Sequence, residues 1–279
     1  MSVATLRSDE IRPAPRHQRG DGAVELRFAG TGVAGLYQRS PCRVLFPRPA
    51  SGEPSLAVLV NTSGGLAGGD RVSTTVNVDA GAAATITTQA AEKIYRSLGP
   101  DARVETRLRV GEGARLDWLP QEAILFDGAC LDRCLSAEIA SGGRLLACET
   151  LVFGRAARGE TMTGGRVQDS WRIECGGRLA WVDRLGLSGD IAARLNGMGF
   201  GDACAMATAV YAGSDAGALL PTARAAATAE GGGATVVNGI LVVRLLGAQP
   251  GQVRDGLTRV IDRLRAAMFG ACDGTPWTV

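Results

Sequence analysis

From about residue 23 to about residue 190 the chain alternates apolar and polar positions, strand after strand. Val104, Thr106, Leu108 and Val110 interleave with Arg103, Glu105, Arg107 and Arg109, the period of two that marks a half-buried strand. A turn at Gly111-Glu-Gly-Ala114 follows, and Arg115 to Pro120 resumes the alternation. The same unit recurs in VNVDAGAAATITTQ, LRVGEGARLDWLP, AEIASGGRLLACETLVF and RIECGGRLAWVDRLGL. Their turn glycines, Gly81, Gly113, Gly143 and Gly177, are about 30 to 34 residues apart, a repeat-like period. Each unit reads as a hairpin pair that cannot bury its apolar face alone, and stacking the units in two layers gives one continuous core. The expected fold is mainly β: stacked two-layer sheets, β-helix or solenoid-like.

The last third differs. Asp215 to Glu230 is Ala-rich and partly helical, and Gly231-Gly-Gly breaks it. Thr235 to Gly247 reads as a strand or hairpin. In Gln252 to Gly270, Val253, Leu257, Val260, Ile261, Leu264 and Met268 fall on one helix face, which predicts a helix docked on the β body. Residues 1–22 carry scattered Arg, Pro and acids with no apolar run, a flexible N-terminal arm rather than a secretory signal. No linker interrupts the remainder, so 23–279 is expected to be one β-rich domain.

Charge and composition narrow the chemistry. A net charge of +2 gives no sign of nucleic-acid or membrane-surface binding. No apolar run is long enough for a membrane helix, and a cytoplasmic protein is expected. Seven cysteines without a Cys-x-x-Cys pair fit free thiols in a reducing compartment. Cys130 and Cys134 have a spacing that would suit a metal on a helix, but their context reads as a loop entering a strand. The one histidine, His17, lies in the arm. A Ser-His-Asp triad would have to use it, and neither an HExxH site nor a His-rich zinc or nickel site can be built.

The stretch Asn61-Thr-Ser-Gly-Gly-Leu-Ala-Gly-Gly-Asp70 follows an apolar run, as a phosphate loop would. It lacks the Walker lysine, its glycine spacing is not that of the dinucleotide fingerprint, and a strand pattern follows it where a helix N-terminus is needed. The alternative is a β–β connection whose glycines allow positive φ and close backbone approach, with Asp70 bonding local N–H groups.

Four blocks in order, NTSGGLAGGDR (61–71), TTQAAEKIYRS (87–97), LDWLPQEAILFDGA (116–129) and GRAARGE (154–160), resemble the urease accessory protein UreD family, called UreH in some organisms. LVVRLLG and the helix after it also fit, so the resemblance covers about residues 23–270; the ending GTPWTV departs from the family's usual close. The resemblance implies a β-rich, non-catalytic maturation factor. It would bind apo-urease and recruit UreF, which carries the GTPase UreG. Nickel would pass through its interior towards the urease active site, with no tightly bound cofactor and only transient Ni(II). Poor solubility without UreF is also expected, from exposed strand edges.

Weakly held, fast-exchanging Ni(II) calls for scattered carboxylates and carbonyls rather than imidazole or thiolate. Matched to the family blocks, the candidates are Asp70, Glu92, Glu149 and Asp183, then Glu122 and Glu160. Glu149 in LLACETLVF and Asp183 in LAWVDRLGL are carboxylates in apolar strands, a local inconsistency that often marks function. The bland reading of each is an ion pair: Arg184 for Asp183 and Arg155 for Glu149. Cys148, beside Glu149, would point to the opposite face. Two other readings stay open: a β-helix carbohydrate-active enzyme using a pair such as Asp117 and Glu122, and a structural repeat protein for another partner.

Overall fold

The computed structural model describes residues 18–197, 199–269 and 276–278. His17, Cys272 and most of the expected arm lie outside them. Strands β1 (Asp21–Ala29), β2 (Gly32–Arg39), β5 (Arg71–Val78), β8 (Ala102–Val110), β11 (Cys130–Ile139), β13 (Gly164–Cys175) and β14 (Arg178–Asp190) form one sheet, ordered β14-β13-β11-β8-β5-β1-β2. The second sheet holds β3 (Cys42–Leu45), β4 (Ser55–Asn61), β6 (Ala83–Thr88), β9 (Arg115–Leu119), β12 (Arg144–Phe153), β15 (Ala205–Ala212), β16 (Gly233–Val237) and β17 (Ile240–Gly247), ordered β16-β17-β15-β12-β9-β6-β4-β3. The short strands β7 (Glu92–Ile94) and β10 (Ala123–Leu125) extend it beside β12.

The two-layer, solenoid-like β fold is as expected, but most of its repeating units are not hairpins. At the turns after β5, β8 and β11 the chain crosses from the first sheet to the second, and the strands pair in parallel with those of the next unit. The corners stack: Gly81 N–H donates to Glu112 O at 2.9 Å, and Gly113 N–H to Ser141 O at 3.2 Å. Gly81, Gly113 and Gly142, not Gly143, hold the positive φ at these corners. Only the fourth unit, β13–β14, is a hairpin, turning at Gly176-Gly177. A glycine turn serves both geometries. What decides between them is pairing with strands of the neighbouring repeat, which local alternation does not encode.

Helices α2 (Ala216–Ala229) and α3 (Pro250–Phe269) cover the outer face of the second sheet; α1 (Ile191–Gly197) follows β14. The apolar stripe of α3 is buried there as predicted, from Val253 to Leu264. β16 and β17 form the anticipated hairpin, with Asn238 and Gly239 both at positive φ, as a tight primed turn requires. Among the described residues no helix is long and apolar enough to cross a membrane. Cys130 and Cys134 lie on β11 itself rather than in a loop before it.

The interior is not one continuous core. One apolar cluster fills the corner end between the sheets, another fills the opposite end, and a third lies under the helices. The first two are separated by a polar seam. On β11, Leu135 belongs to the corner cluster and Leu131 to the opposite one, with Arg133 between them. Asp169 lies likewise between Trp171 and Val167, Glu149 between Ala147 and Leu151, and Thr208 between Val210 and Met206.

Candidate functional site

The seam opens into a cavity of about 320 Å³ between the sheets. Its wall on the first sheet includes Thr74, Thr106 and Arg133; on the second it includes Trp118, Glu92 and Glu149. The ladder of the second sheet explains why space is left. Ala57, Ile86, Trp118 and Ala147 form one row across β4, β6, β9 and β12, and Leu66, Ile94, Leu125 and Phe153 form a second. The spacing between the rows shrinks by one residue per strand, from Ala57–Leu66 through Ile86–Ile94 and Trp118–Leu125 to Ala147–Phe153. Only β12 runs through unbroken. The extra residues leave the ladder as a gap that widens towards β4 and the edge strand β3. Pro120, which has no N–H to donate to a neighbour, lies in the break between β9 and β10, and Gln121 bridges it by donating to Thr88 O and Gln89 O at 3.2 and 3.0 Å.

The glycine-rich loop belongs to this gap. Gly64 and Leu66 line the cavity. A Cβ on Gly65 would lie 2.8 Å from Lys93 O, and one on Gly68 would lie 2.5 Å from Pro100 O. The glycines therefore serve close backbone approach to the 93–100 segment. Asp70 is buried and accepts hydrogen bonds from Ala67 N–H at 2.8 Å and Gly20 N–H at 2.7 Å. It closes its own loop and ties down the start of the described chain.

Of the predicted acids, Glu92 and Glu149 line the cavity. Glu92 accepts from Asn61 Nδ2 at 3.1 Å on both oxygens, and burial raises its pKa above the usual carboxylate value. Glu149 is buried, and Arg133 Nη2 of the opposite sheet lies 2.9 Å from its Oε2. That N–H is not aimed at Oε2, which has no hydrogen-bond partner. Arg133 also makes a bidentate pair with Asp169, both bonds at 2.9 Å. One guanidinium thus serves two buried carboxylates. Burial, with Asp169 adding repulsion, pushes the Glu149 pKa up to about 8, as expected when a carboxylate loses water and shares its counter-ion. The Trp118 indole N–H is likewise buried without a partner.

The other four acids lie outside the cavity wall. Asp183 pairs with Arg244 of the second sheet, not with its neighbour Arg184. The pair bridges the sheets where Trp181 and Val242, one alternation away, join the corner cluster. Glu122 pairs with Arg254 of α3 at 2.5 Å. Glu160 pairs with Arg155, the arginine expected near Glu149. Asp117 is buried against Arg115 and Arg265 under α3, so Asp117 and Glu122 are each held by arginine rather than facing a common cleft. Cys148 is buried on the helix side of its sheet, opposite Glu149, as alternation required. No cluster of three or more His, Cys, Asp or Glu with metal-binding geometry exists among the described residues.

Sequence reasoning missed Arg133, Asp169, Asn61 and Trp118. For the first two the signal was present: Arg133 shares the inward phase of Leu131 and Leu135, and Asp169 that of Val167 and Trp171. A charge in the buried phase of a strand is as informative as one in an apolar run.

A profile of the family described as UreD urease accessory protein matches residues 19–277. A protein named urease accessory protein UreD from Methylobacterium sp. (strain 4-46) is 44% identical over 264 residues, covering 90% of this chain and 93% of its own. Urease accessory protein UreD 1 of Brucella abortus biovar 1 (strain 9-941) is 44% identical over 214 residues, 76% of each chain. Urease accessory protein UreD 1 of Methylobacterium radiotolerans is 43% identical over 271 residues, covering 92% and 93%.

Proposed function

The chain belongs to the UreD urease accessory protein family, and we propose that it matures urease in the cytoplasm as a non-catalytic scaffold that binds apo-urease with UreF and UreG and passes nickel through its interior. The observation that supports passage is the cavity joined to the polar seam, where Glu149 Oε2 and the Trp118 N–H are buried without hydrogen-bond partners. Such groups are costly when dry. Water, and transiently a hydrated cation, removes that cost.

Nickel is cargo here, not a resident cofactor. Glu92 and Glu149 offer carboxylate oxygens in the cavity, and Asp183 lies beyond them in the seam. Single carboxylates without imidazole bind Ni(II) weakly and exchange it quickly, which suits transfer. Arg133 lies between the Glu149 and Asp169 carboxyl groups, so the three together carry at most one net negative charge. GTP hydrolysis belongs to UreG.

The test is co-expression with the urease structural subunits and UreF, followed by co-purification and assay of nickel in the matured urease. The wild-type chain should co-purify, and the Glu92→Gln/Glu149→Gln pair should leave the complex intact while lowering nickel content severalfold. Full nickel loading with that pair overturns the passage. Failure of the wild-type chain to co-purify overturns the scaffold. GTP hydrolysis by the purified chain alone contradicts the non-catalytic assignment.

A further inference from the structure

The β2–β3 edge concentrates features that the cavity does not use. Val33, Leu36, Tyr37, Leu45 and Phe46 are half of the large apolar side chains exposed among the described residues, and all fall between residues 33 and 46. β2 ends the first sheet and β3 ends the second on the same side of the sandwich, so neither has a further strand beside it, and Gln38 Oε1 accepts from Val44 N–H at 2.9 Å between them. Isolated exposed apolar residues are ordinary; five gathered along one rim of the sandwich mark a binding surface.

Every charged residue between 33 and 52 is an arginine, while Glu25 and Asp21 stand beside Tyr37 and Arg39 on the neighbouring strand. Arg39, Arg43 and Arg48 are exposed along the same stretch. Of these, Arg39 is bound to Asp21 at 2.8 Å. Arg43 lines the cavity as well as facing solvent, and the gap in the second sheet widens towards this edge. Lys93, the only lysine of the chain, is also exposed on the cavity wall. Positive side chains at the opening repel free divalent cations. A second copy docked edge to edge about a two-fold axis would set this arginine-rich stretch against itself.

We propose that the β2–β3 edge docks a different protein, one with an apolar centre and an acidic rim, which covers the opening of the cavity beside Arg43. The partner's acids neutralise Arg43, Arg48 and Lys93, so the cavity accepts cations only while the partner is seated. This inference rests on the maturation reading above, and names the surface and the chemistry of one of its contacts.

The test uses the full chain co-expressed with UreF and the urease subunits. Two edge variants, Tyr37→Asp/Phe46→Asp and Arg43→Glu/Arg48→Glu, are compared with Leu179→Asp/Val182→Asp on the opposite edge of the first sheet, where both residues are exposed. Thermal melting verifies that each variant folds. Both edge variants should lose at least tenfold in retention of one partner, the far-edge variant should retain it, and wild-type retention should fall as salt rises. Hydrogen exchange in the wild-type complex should slow at residues 32–46. Wild-type retention that survives both edge variants overturns this inference alone. A wild-type chain that self-associates through this edge, by light scattering, also overturns it. A wild-type chain that retains none of these proteins overturns the maturation reading and this inference with it.

Discussion

Arg133 of the first sheet and Glu149 of the second approach to 2.9 Å across the interior, in a layer with apolar clusters on either side. Removing one member of a buried ion pair strands the other charge, which costs about 3–5 kcal/mol. Arg133→Met should therefore destabilise the chain by about that much, because it strands the Asp169 carboxylate. Glu149→Gln keeps the shape and leaves the Arg133–Asp169 pair, so its cost should be well below that of Arg133→Met. Urea denaturation of both variants measures the difference.

Glu149 also sets a pH dependence. Its pKa is raised from an ordinary 4.5 to about 8 in the folded chain. The folded state then holds a proton that the unfolded state has released, so this contribution is fully present below the unfolded pKa and is lost as pH rises through the folded one. Stability should fall between about pH 5 and pH 8, and the fall should be shallower in Glu149→Gln. Denaturant midpoints across this range, wild type against variant, decide it; parallel curves would assign the titration elsewhere.

The glycine loop predicts a contrast between two Gly→Ala substitutions. A Cβ at Gly68 would lie 2.0 Å from Ser97 Oγ and 2.5 Å from the Pro100 carbonyl, so Gly68→Ala must displace backbone. A Cβ at Gly81 would meet nothing within 4 Å, and only its positive φ opposes the change. Gly81→Ala should cost about 1–2 kcal/mol and Gly68→Ala more, with faster hydrogen exchange in the 93–101 segment for Gly68→Ala only.

Asp70 closes that same loop. Asp70→Ala leaves the Gly20 and Ala67 N–H groups without their acceptor, at about 1–3 kcal/mol for buried donors. Thermal melting should register this loss. Nickel delivered per assembled complex should stay unchanged, since Asp70 is not on the cavity wall. A loss of nickel at full assembly would place Asp70 on the passage instead.

The sequence carried the strands, the corners and the docked C-terminal helix because each is written in local alternation, glycine placement or a helical stripe. It did not carry the partners. Asp183 and Arg184 are adjacent in sequence, but neighbours on a strand point to opposite faces, and Asp183 finds Arg244 on β17 of the other sheet. Arg155 turns to Glu160, and the true partner of Glu149 lies on another sheet. The cavity was less legible still. It comes from unequal residue counts between two rows of a parallel ladder, visible only once the repeats are aligned strand by strand. Glu92 and Glu149 were picked as isolated acids, and it is that gap which brings them to one wall.

The stacked corners have a consequence for how such a chain tolerates length changes. On the first sheet each successive strand contributes one residue to each row, so Arg133 stands in a row with Val72, Val104 and Asp169. An insertion at a corner such as Ser141–Gly142 lengthens a turn at the surface and leaves every row in place. One extra residue inside β11 before Arg133 turns that guanidinium to solvent and a neighbour inward. Relatives of different length should therefore differ at the corners and the ladder breaks, while the strand segments that carry the seam keep their length.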